Sequence, residues 1–216
     1  MKKEIIEQRS SEWFKQRSGK ITSSELYKIM IEERGGKDTI GEGAKTYLLT
    51  KVSESFGGKS APVVGQALDW GTDLEPVAIS HYEKLTQLKV DAAPFIEYNE
   101  YYGGSPDGIV NTDGVIEVKC PFSSVNHFKH GMIETEADFK SVATNYYYQC
   151  LSNMLVSGAS WCDFISYDPR VEDDYKMFIF RLHRNEDEIK HIKNRIRLSI
   201  KYMNELKTFF QTIKLK

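Results

Sequence analysis

The sequence predicts an α/β domain in which helices flank a central mixed β-sheet. Three observations carry this. Segments with helical periodicity precede and follow a run of strand-like segments around residues 90–120. Within that run, Ile109, Val110, Val115, Ile116 and Val118 form short apolar stretches bounded by turn residues, the pattern of a central strand pair. At 216 residues the chain is long enough for one sizeable core and short for two, so one domain over residues 1–216 is expected.

The elements follow in order. Trp13–Arg17 reads as a short helix. Thr22-Ser23-Ser24-Glu25 has the form of a capping box and opens a helix through about Met30. Arg34–Asp38 reads as a loop, and a helix covers roughly 43–55, ending before Gly57-Gly58. Another helix runs from about Ala67 to Leu85, with Pro76 kinking it or marking a fresh start. Val90–Tyr98 has a strand pattern and leads into two further strands joined at Asp113-Gly114, a strong hairpin-turn signal. Residues 123–131 read as helical, and a longer helix spans about Val142–Leu155. Trp161–Tyr167 and Tyr175–Leu182 read as strands, and the last helix runs from about Glu186 to Phe210.

The chemistry concentrates at the strand pair. Ser105-Pro106-Asp107-Gly108 is followed, after nine intervening residues, by Glu117-Val118-Lys119. Alternate residues of a strand share a face, so Glu117 and Lys119 point one way while Val118 and Cys120 turn into the core. Asp107 arrives on the neighbouring strand. Two carboxylates at about 4 Å repel by roughly 4 kcal/mol at an effective dielectric near 20. Either one takes up a proton or a divalent cation sits between them. Mg²⁺ favours such hard oxygen ligands together with substrate phosphate. A cation there neutralises phosphate charge and acidifies water, and a lysine two residues on orients the attacking water or stabilises the transition state. The pattern is that of a phosphodiesterase metal site. The bland alternative is a turn at Asp107-Gly108 and a solvated Glu117/Lys119 pair; the apolar flanks argue against it, because unpaired charge on a central strand is costly.

Other residues stay open on pattern alone. Glu75 completes a second capping-box form, Thr72-Asp73-Leu74-Glu75, and is either a helix-terminus residue or a third carboxylate. On the helix at 142–155, Tyr146, Tyr147, Cys150, Leu151, Met154 and Leu155 form an apolar stripe beside a polar strip of Asn145, Gln149, Ser152 and Asn153. That strip reads as a solvated face, or, beside a nuclease site, Gln149 holds water or phosphate. The basic residues Lys190, Lys193, Arg195, Arg197, Lys201, Lys207, Lys214 and Lys216 read as the wet face of the last helix. The five histidines lack zinc spacing, and His127 and His130 are expected at the surface.

Composition bounds the rest. Charged residues make up 28% and hydrophobic residues 40%, ordinary for a globular protein. No stretch is apolar and long enough to span a membrane, and the N-terminus lacks a signal-peptide core. Cys120, Cys150 and Cys162 are odd in number and widely spaced, which suggests buried free thiols in a reducing cytoplasm. The net charge of −2 restricts any DNA surface to a local patch.

With these residues in place, the chain resembles the phage lambda-type exonucleases, also described as YqaJ-like viral recombinases, of the restriction-endonuclease-like superfamily. The matching text is Trp13…Arg17…Thr22…Ser24, then Ala67-Leu68-Asp69-Trp70-Gly71…Glu75, Ser105-Pro106-Asp107-Gly108, Glu117-Val118-Lys119-Cys120-Pro121-Phe122, Gln149 and Tyr167-Asp168-Pro169-Arg170. The resemblance implies a restriction-endonuclease-like core and a processive, Mg²⁺-dependent 5′-to-3′ exonuclease on double-stranded DNA ends, with Mn²⁺ as a substitute. Such an enzyme releases 5′-mononucleotides and leaves a 3′ overhang. It places metal ligands at Glu75, Asp107, Glu117 and the Val118 carbonyl, the catalytic lysine at Lys119, and a glutamine that positions the nucleophile at Gln149. It places the terminal 5′-phosphate on Arg17, Ser24 and Ser105, an apolar strand-separating wedge at Leu68, and a duplex-touching arginine at Arg34. It further implies a homotrimeric ring around DNA, a single-strand annealing protein as partner, and the cytoplasm of a bacterium or phage-infected host.

One position departs from the family. A basic residue that closes the phosphate pocket after the Cys-Pro-Phe segment is matched by Val125, with His127 and Lys129 just beyond as candidate substitutes. Two other functions are kept beside the exonuclease: an endonuclease on the same scaffold, and a non-catalytic DNA-end-binding protein. Three cysteines are one short of the four that hold an iron–sulfur cluster in a further subgroup.

Overall fold

The computed structural model describes residues 6, 8–31, 39–59 and 65–213. In chain order the elements are α1 (Ser11–Arg17), β1 (Ile21–Thr22), α2 (Tyr27–Met30), α3 (Glu42–Ser55), α4 (Gln66–Thr86), β2 (Val90–Asp91), β3 (Ile96–Asn99), β4 (Tyr102–Gly104), β5 (Gly108–Val110), β6 (Gly114–Lys119), α5 (Ser124–Gly131), α6 (Glu136–Val142), α7 (Thr144–Ser157), β7 (Trp161–Tyr167), β8 (Met177–His183) and α8 (Glu186–Ile213). Five strands form a mixed sheet in the order β2-β5-β6-β7-β8, with β6 and β7 parallel and the other pairs antiparallel. A smaller sheet, β1-β4-β3, sits beside it. This is the mixed α/β architecture the periodicities predict.

The strand period sorts the sheet into two cores. Val115 on β6 and Cys162 and Phe164 on β7 pack with α2, α3, α7 and α8, around Tyr47, Leu48, Leu151, Ile192 and Met203. Ile116 and Val118, with Ile165 and Tyr167, face α4 through Ala78 and Tyr82. Both faces of β6 are therefore covered. Glu117 is fully buried on the α7 side and does not look out to solvent.

Several local expectations change. The 90–98 segment is not one strand. It breaks between β2 and β3 around Pro94, which cannot donate to a ladder, and its two halves join different sheets. The Thr22–Glu25 segment forms a 3₁₀ turn without a side-chain cap, followed by the single turn of α2. α4 passes through Pro76 without ending, so Glu75 lies in mid-helix and Thr72 donates back to the Leu68 carbonyl at 2.9 Å. The capping-box interpretation of Glu75 is therefore removed. A true capping box, Thr135 with Asp138, opens α6, a helix the sequence reading omits. The hairpin loop is Asn111-Thr112-Asp113, with Asn111 at φ 53. Gly114 already belongs to β6, where an added Cβ would lie 2.0 Å from the Trp161 ring. Close approach, not a turn, requires that glycine.

Arg195 also departs from expectation. It is fully buried, and its guanidinium donates to the carbonyls of Ile29 at 2.7 Å, Thr39 at 2.7 Å and Ile31 at 3.4 Å. It is a buried tie from α8 to the end of α2, using the planar fork that lysine lacks. Lys214 and Lys216 of the same basic series lie outside the described residues.

Candidate active site

The site is built where β5 and β6 begin and end side by side. The Asp107 N–H donates to the Ile116 carbonyl at 3.1 Å, which docks the Pro106-Asp107 corner against β6. Asp107 Oδ2 then accepts the Val118 N–H at 2.7 Å. Glu117 and Lys119 stand on one face of β6 and form an ion pair, with the Lys119 Nζ also 5.0 Å from the Tyr146 ring of α7. Glu117 Oε2 accepts from Asn153 Nδ2 at 2.7 Å. Three of the expected catalytic residues, Asp107, Glu117 and Lys119, thus meet at one point. Gln149 is buried on α7 one turn before Asn153, so Gln149, Ser152 and Asn153 of the polar strip are internal, while Asn145 at its start is half-exposed.

The charges at this point act on one another. Burial, and next the neighbouring Glu117 charge, push the Asp107 carboxyl well above its ordinary range. Burial also raises Glu117, against the pull of Lys119. For Lys119 burial disfavours the charged form, but Glu117 and Asp107 outweigh it and hold the ammonium charged. A half-buried and a fully buried carboxylate share one lysine, so ionising both leaves a negative charge that a second cation would offset. Glu117 Oε1 is buried with the Lys119 ammonium against it, and the donors gathered here are hard carboxylate oxygens. These features fit Mg²⁺.

Glu75 comes from the opposite layer, on α4. Its charge is felt by both Asp107 and Glu117, yet its carboxylate is engaged elsewhere, in an ion pair with Arg9 at 2.5 Å. Among the described residues no three carboxylate, imidazole or thiol groups close into a finished ligand set. Of the Val118 backbone, the N–H serves Asp107.

A second cluster adjoins the first. Arg17 Nη2 donates to Ser24 Oγ at 3.4 Å, and Thr22 Oγ1 lies 3.4 Å from the same hydroxyl. Trp13 Nε1 donates to Ser105 Oγ at 3.0 Å, while its ring face carries the Arg17 guanidinium at 3.9 Å. Ser105 is two residues before Asp107, and Arg17 feels the Glu117 charge. Burial lowers the Arg17 pKa to about 10, which leaves it charged at neutral pH. Beneath this cluster, Ser23, Ser152 and Tyr102 form a buried hydroxyl chain. Gly104 must be glycine there, since an added Cβ would lie 1.9 Å from Ser23 Oγ. Arg17 therefore touches Ser24 directly and is linked to Ser105 through Trp13. Trp13, which organises two of them, was visible only as the first letter of the Trp13…Arg17 spacing.

The remaining candidates separate. Leu68 stands exposed on α4, and Arg34 lies outside the described residues. Val125 is exposed on α5. His127 does not replace the missing basic residue: it is buried, with Nδ1 2.9 Å from Ser166 Oγ and Nε2 2.8 Å from the Tyr175 carbonyl. His130 is buried beside it, which corrects the surface placement of both histidines. Lys129 is exposed. The Tyr167–Arg170 segment has a structural task. Asp168 Oδ1 accepts Arg170 Nε at 2.7 Å, and the guanidinium also donates to the Phe122 carbonyl at 3.1 Å and lies over Trp70 at 4.4 Å. This fastens the turn that leaves β6 after Lys119. The three cysteines are buried and free, and among the described residues no helix is long and apolar enough to cross a membrane.

Fold and site together define a nuclease of the restriction-endonuclease-like class. The family can be stated as well: residues 12–160 match the YqaJ-like viral recombinase domain, and the chain belongs to that family. The alkaline exonuclease LHK-Exo from Laribacter hongkongensis superposes with a TM-score of 0.80 at 27% identity, covering 96% of this chain and all of that one, and has also been solved in complex with dAMP. A phage-related exonuclease from Haemophilus somnus 129PT shares the fold at a TM-score of 0.74 and 18% identity, over 88% of this chain and 96% of that one. No curated protein sequence matches the chain.

Proposed function

We propose that the protein is a Mg²⁺-dependent, processive 5′-to-3′ exonuclease on double-stranded DNA that releases 5′-mononucleotides and leaves a 3′ overhang for strand annealing. The observation that carries this is adjacency: the Asp107–Glu117–Lys119 cluster and the Arg17–Ser24–Ser105 cluster are joined through Ser105 and Asp107, two residues apart. One suits hydrolysis of a phosphodiester, and the other suits a terminal phosphate. A relative that is an exonuclease and has been solved with a nucleoside monophosphate supports the same direction.

Glu75, Asp107, Glu117 and the Val118 carbonyl would hold the cation, which supplies neutralisation of phosphate charge and a water acidified for attack. Lys119 adds a fixed positive charge on the reacting side. Asn153 and Lys119 hold Glu117 from both sides, while Gln149, one turn along α7, positions the nucleophile. Arg17, with Ser24 and Ser105, binds the 5′-phosphate and thereby sets which phosphodiester lies at the acids. Attack of water on that phosphorus breaks its bond to the 3′ oxygen of the terminal nucleotide. The mononucleotide leaves, and the shortened strand again ends in a 5′-phosphate, the group the pocket takes. Leu68, exposed on α4, would part the strands, and Arg34 would touch the incoming duplex.

A homotrimeric ring would retain the DNA between cuts without a strongly basic surface, consistent with the net charge of −2. Val125, Phe128 and Met132, apolar and exposed along and just after α5, support a surface covered by another copy. A single-strand annealing protein acting on the overhang is the expected partner.

The test is digestion of linear duplex carrying 5′-phosphate or 5′-hydroxyl ends, with and without Mg²⁺, beside covalently closed circles. Mononucleotide release that needs Mg²⁺, prefers 5′-phosphate, spares circles and is lost in Lys119→Ala is the expected result. Cut circles would establish an endonuclease instead, and binding without cleavage would establish an end-binding protein.

A further inference from the structure

Arg9 occupies a position that the hydrolytic scheme does not use. Its guanidinium Nη2 lies 2.5 Å from Glu75 Oε2, on the one expected ligand that comes from the α4 layer. The chain is held there from both sides. The Gln8 side-chain amide donates to the Pro106 carbonyl at 3.0 Å and to the Ala93 carbonyl at 3.4 Å, which pins it to the residue before Asp107. On the other side, the Ser10 hydroxyl caps α1 by accepting the Trp13 N–H. Between these anchors Arg9 adopts φ +69, a left-handed conformation that a side chain with a Cβ rarely takes. Strain of this kind persists where the surroundings impose it, and it concentrates at functional sites.

The pair is also built to open. The Arg9 side chain is 42% exposed and that of Glu75 18% exposed, so the guanidinium can swing into water without disturbing the core. The other two carboxylates are held by groups that stay in place, Asp107 by a backbone N–H and Glu117 by Asn153 and Lys119. Glu75 alone is held by a half-exposed cation at the end of a flexible side chain.

We propose that Arg9 is a latch on Glu75, an internal competitor that must release the carboxylate before a divalent cation can take it. The latch rests on the reading of Glu75, Asp107 and Glu117 as the cation site. Every cation that binds must first displace one positive charge, so the latch lowers affinity for cation in the DNA-free protein. Binding free energies are reciprocal, so loading the cation must in turn free Arg9.

The test uses full-length protein without DNA and Mn²⁺ as the probe, with free Mn²⁺ read by its EPR signal. Arg9→Ala is expected to tighten Mn²⁺ binding about three- to tenfold, and Arg9→Lys to tighten it less. Arg9→Gly, which relaxes the positive φ and cannot harm folding by that route, is expected to match Arg9→Ala. In a Glu75→Gln background the same substitutions are expected to change nothing, because the latch has no carboxylate to hold. Unchanged or weaker Mn²⁺ binding in both Arg9→Ala and Arg9→Gly overturns the latch while leaving the cation site standing. A gain that persists in Glu75→Gln also overturns it. If neither wild type nor any Arg9 variant binds Mn²⁺, the cation site itself falls and the latch with it.

Discussion

Asn153 donates a 2.7 Å hydrogen bond to the Glu117 carboxylate from the middle of α7, and both residues are fully buried. The bond fixes the orientation of an acid that would otherwise sit in the core with only Lys119 to satisfy it. Groups that orient a ligand from behind typically matter by about 10–100-fold in metal affinity or activity. Asn153→Ala is therefore expected to lower the rate of mononucleotide release by about that factor. Asn153→Asp is expected to be worse, since it puts a third negative charge against Glu117. Single-turnover digestion checks this, and an Asn153→Asp variant with wild-type rate would remove Asn153 from the site.

The route to Asn153 shows what was legible in the sequence and what was not. Asp107, Glu117 and Lys119 were readable because strand alternation and a short hairpin fix their positions from local rules alone. The helices were readable for the same reason, with boundaries within a few residues at α3, α7 and α8. Asn153 lies four residues after Gln149 and in the same polar strip, but helical periodicity cannot distinguish a strip facing water from one facing a buried acid. Arg195, His127 and His130 failed for a related reason: polar residues look external until a carbonyl or hydroxyl from a distant segment arrives to satisfy them. The split of residues 90–98 between two sheets likewise depends on partners over short stretches, which no local pattern encodes. The ion pair of Arg9 with Glu75 joins residues 66 apart, beyond the reach of any motif.

Trp13 joins the two halves of the phosphate cluster, donating to Ser105 and carrying Arg17 on its ring. Trp13→Phe keeps an aromatic face for the guanidinium but loses the donor, so the Ser105 hydroxyl is free to turn. The preference for 5′-phosphate over 5′-hydroxyl ends is expected to fall about three- to tenfold, with the rate constant at saturating DNA within about twofold, since the loss of one neutral hydrogen bond corresponds to roughly 1 kcal/mol. Competition between the two end types in one reaction measures this directly. An unchanged preference would show that Ser105 is positioned by its backbone and not by Trp13.

Asp107 sets stability against function. Its carboxyl is raised by burial and by Glu117, so the folded, cation-free protein holds a proton there more tightly than the unfolded chain does. Stability from this group therefore rises as pH falls from the raised value toward the unfolded value near 3.9, and is lost as pH rises through it. Asp107→Asn removes the charge while its amide oxygen can still accept the Val118 N–H. In EDTA at pH 7.5 the variant is expected to be more stable by about 1–2 kcal/mol, or roughly 2–6 °C in Tm, with the gain shrinking toward pH 5. Mg²⁺ is expected to raise the Tm of wild type and not that of the variant. Thermal melts at both pH values test it, and a variant that melts lower in EDTA at pH 7.5 would contradict the electrostatic account.

The opposite sign holds at the buried histidine pair. Ser166 Oγ lies 2.9 Å from Nδ1 of both His127 and His130, and His127 Nε2 faces the Tyr175 carbonyl at 2.8 Å. A carbonyl only accepts, so His127 carries its proton on Nε2 and its Nδ1 accepts from Ser166, whose oxygen in turn accepts from the Nδ1–H of His130. Burial, then His127 and Lys119, lower the His130 pKa to about 4. Between pH 4 and the unfolded value near 6.5 the unfolded chain binds the extra proton, so stability falls as pH drops through that window, by up to about 3 kcal/mol in all. His130→Asn places an amide N–H where Nδ1–H stood and cannot titrate. It is expected to flatten the acid slope relative to wild type, while the contribution of Asp107, common to both proteins, cancels in the difference. Urea unfolding at pH 7, 6 and 5 in EDTA measures the two slopes, and parallel slopes would mean that His130 titrates as freely in the fold as in the unfolded chain.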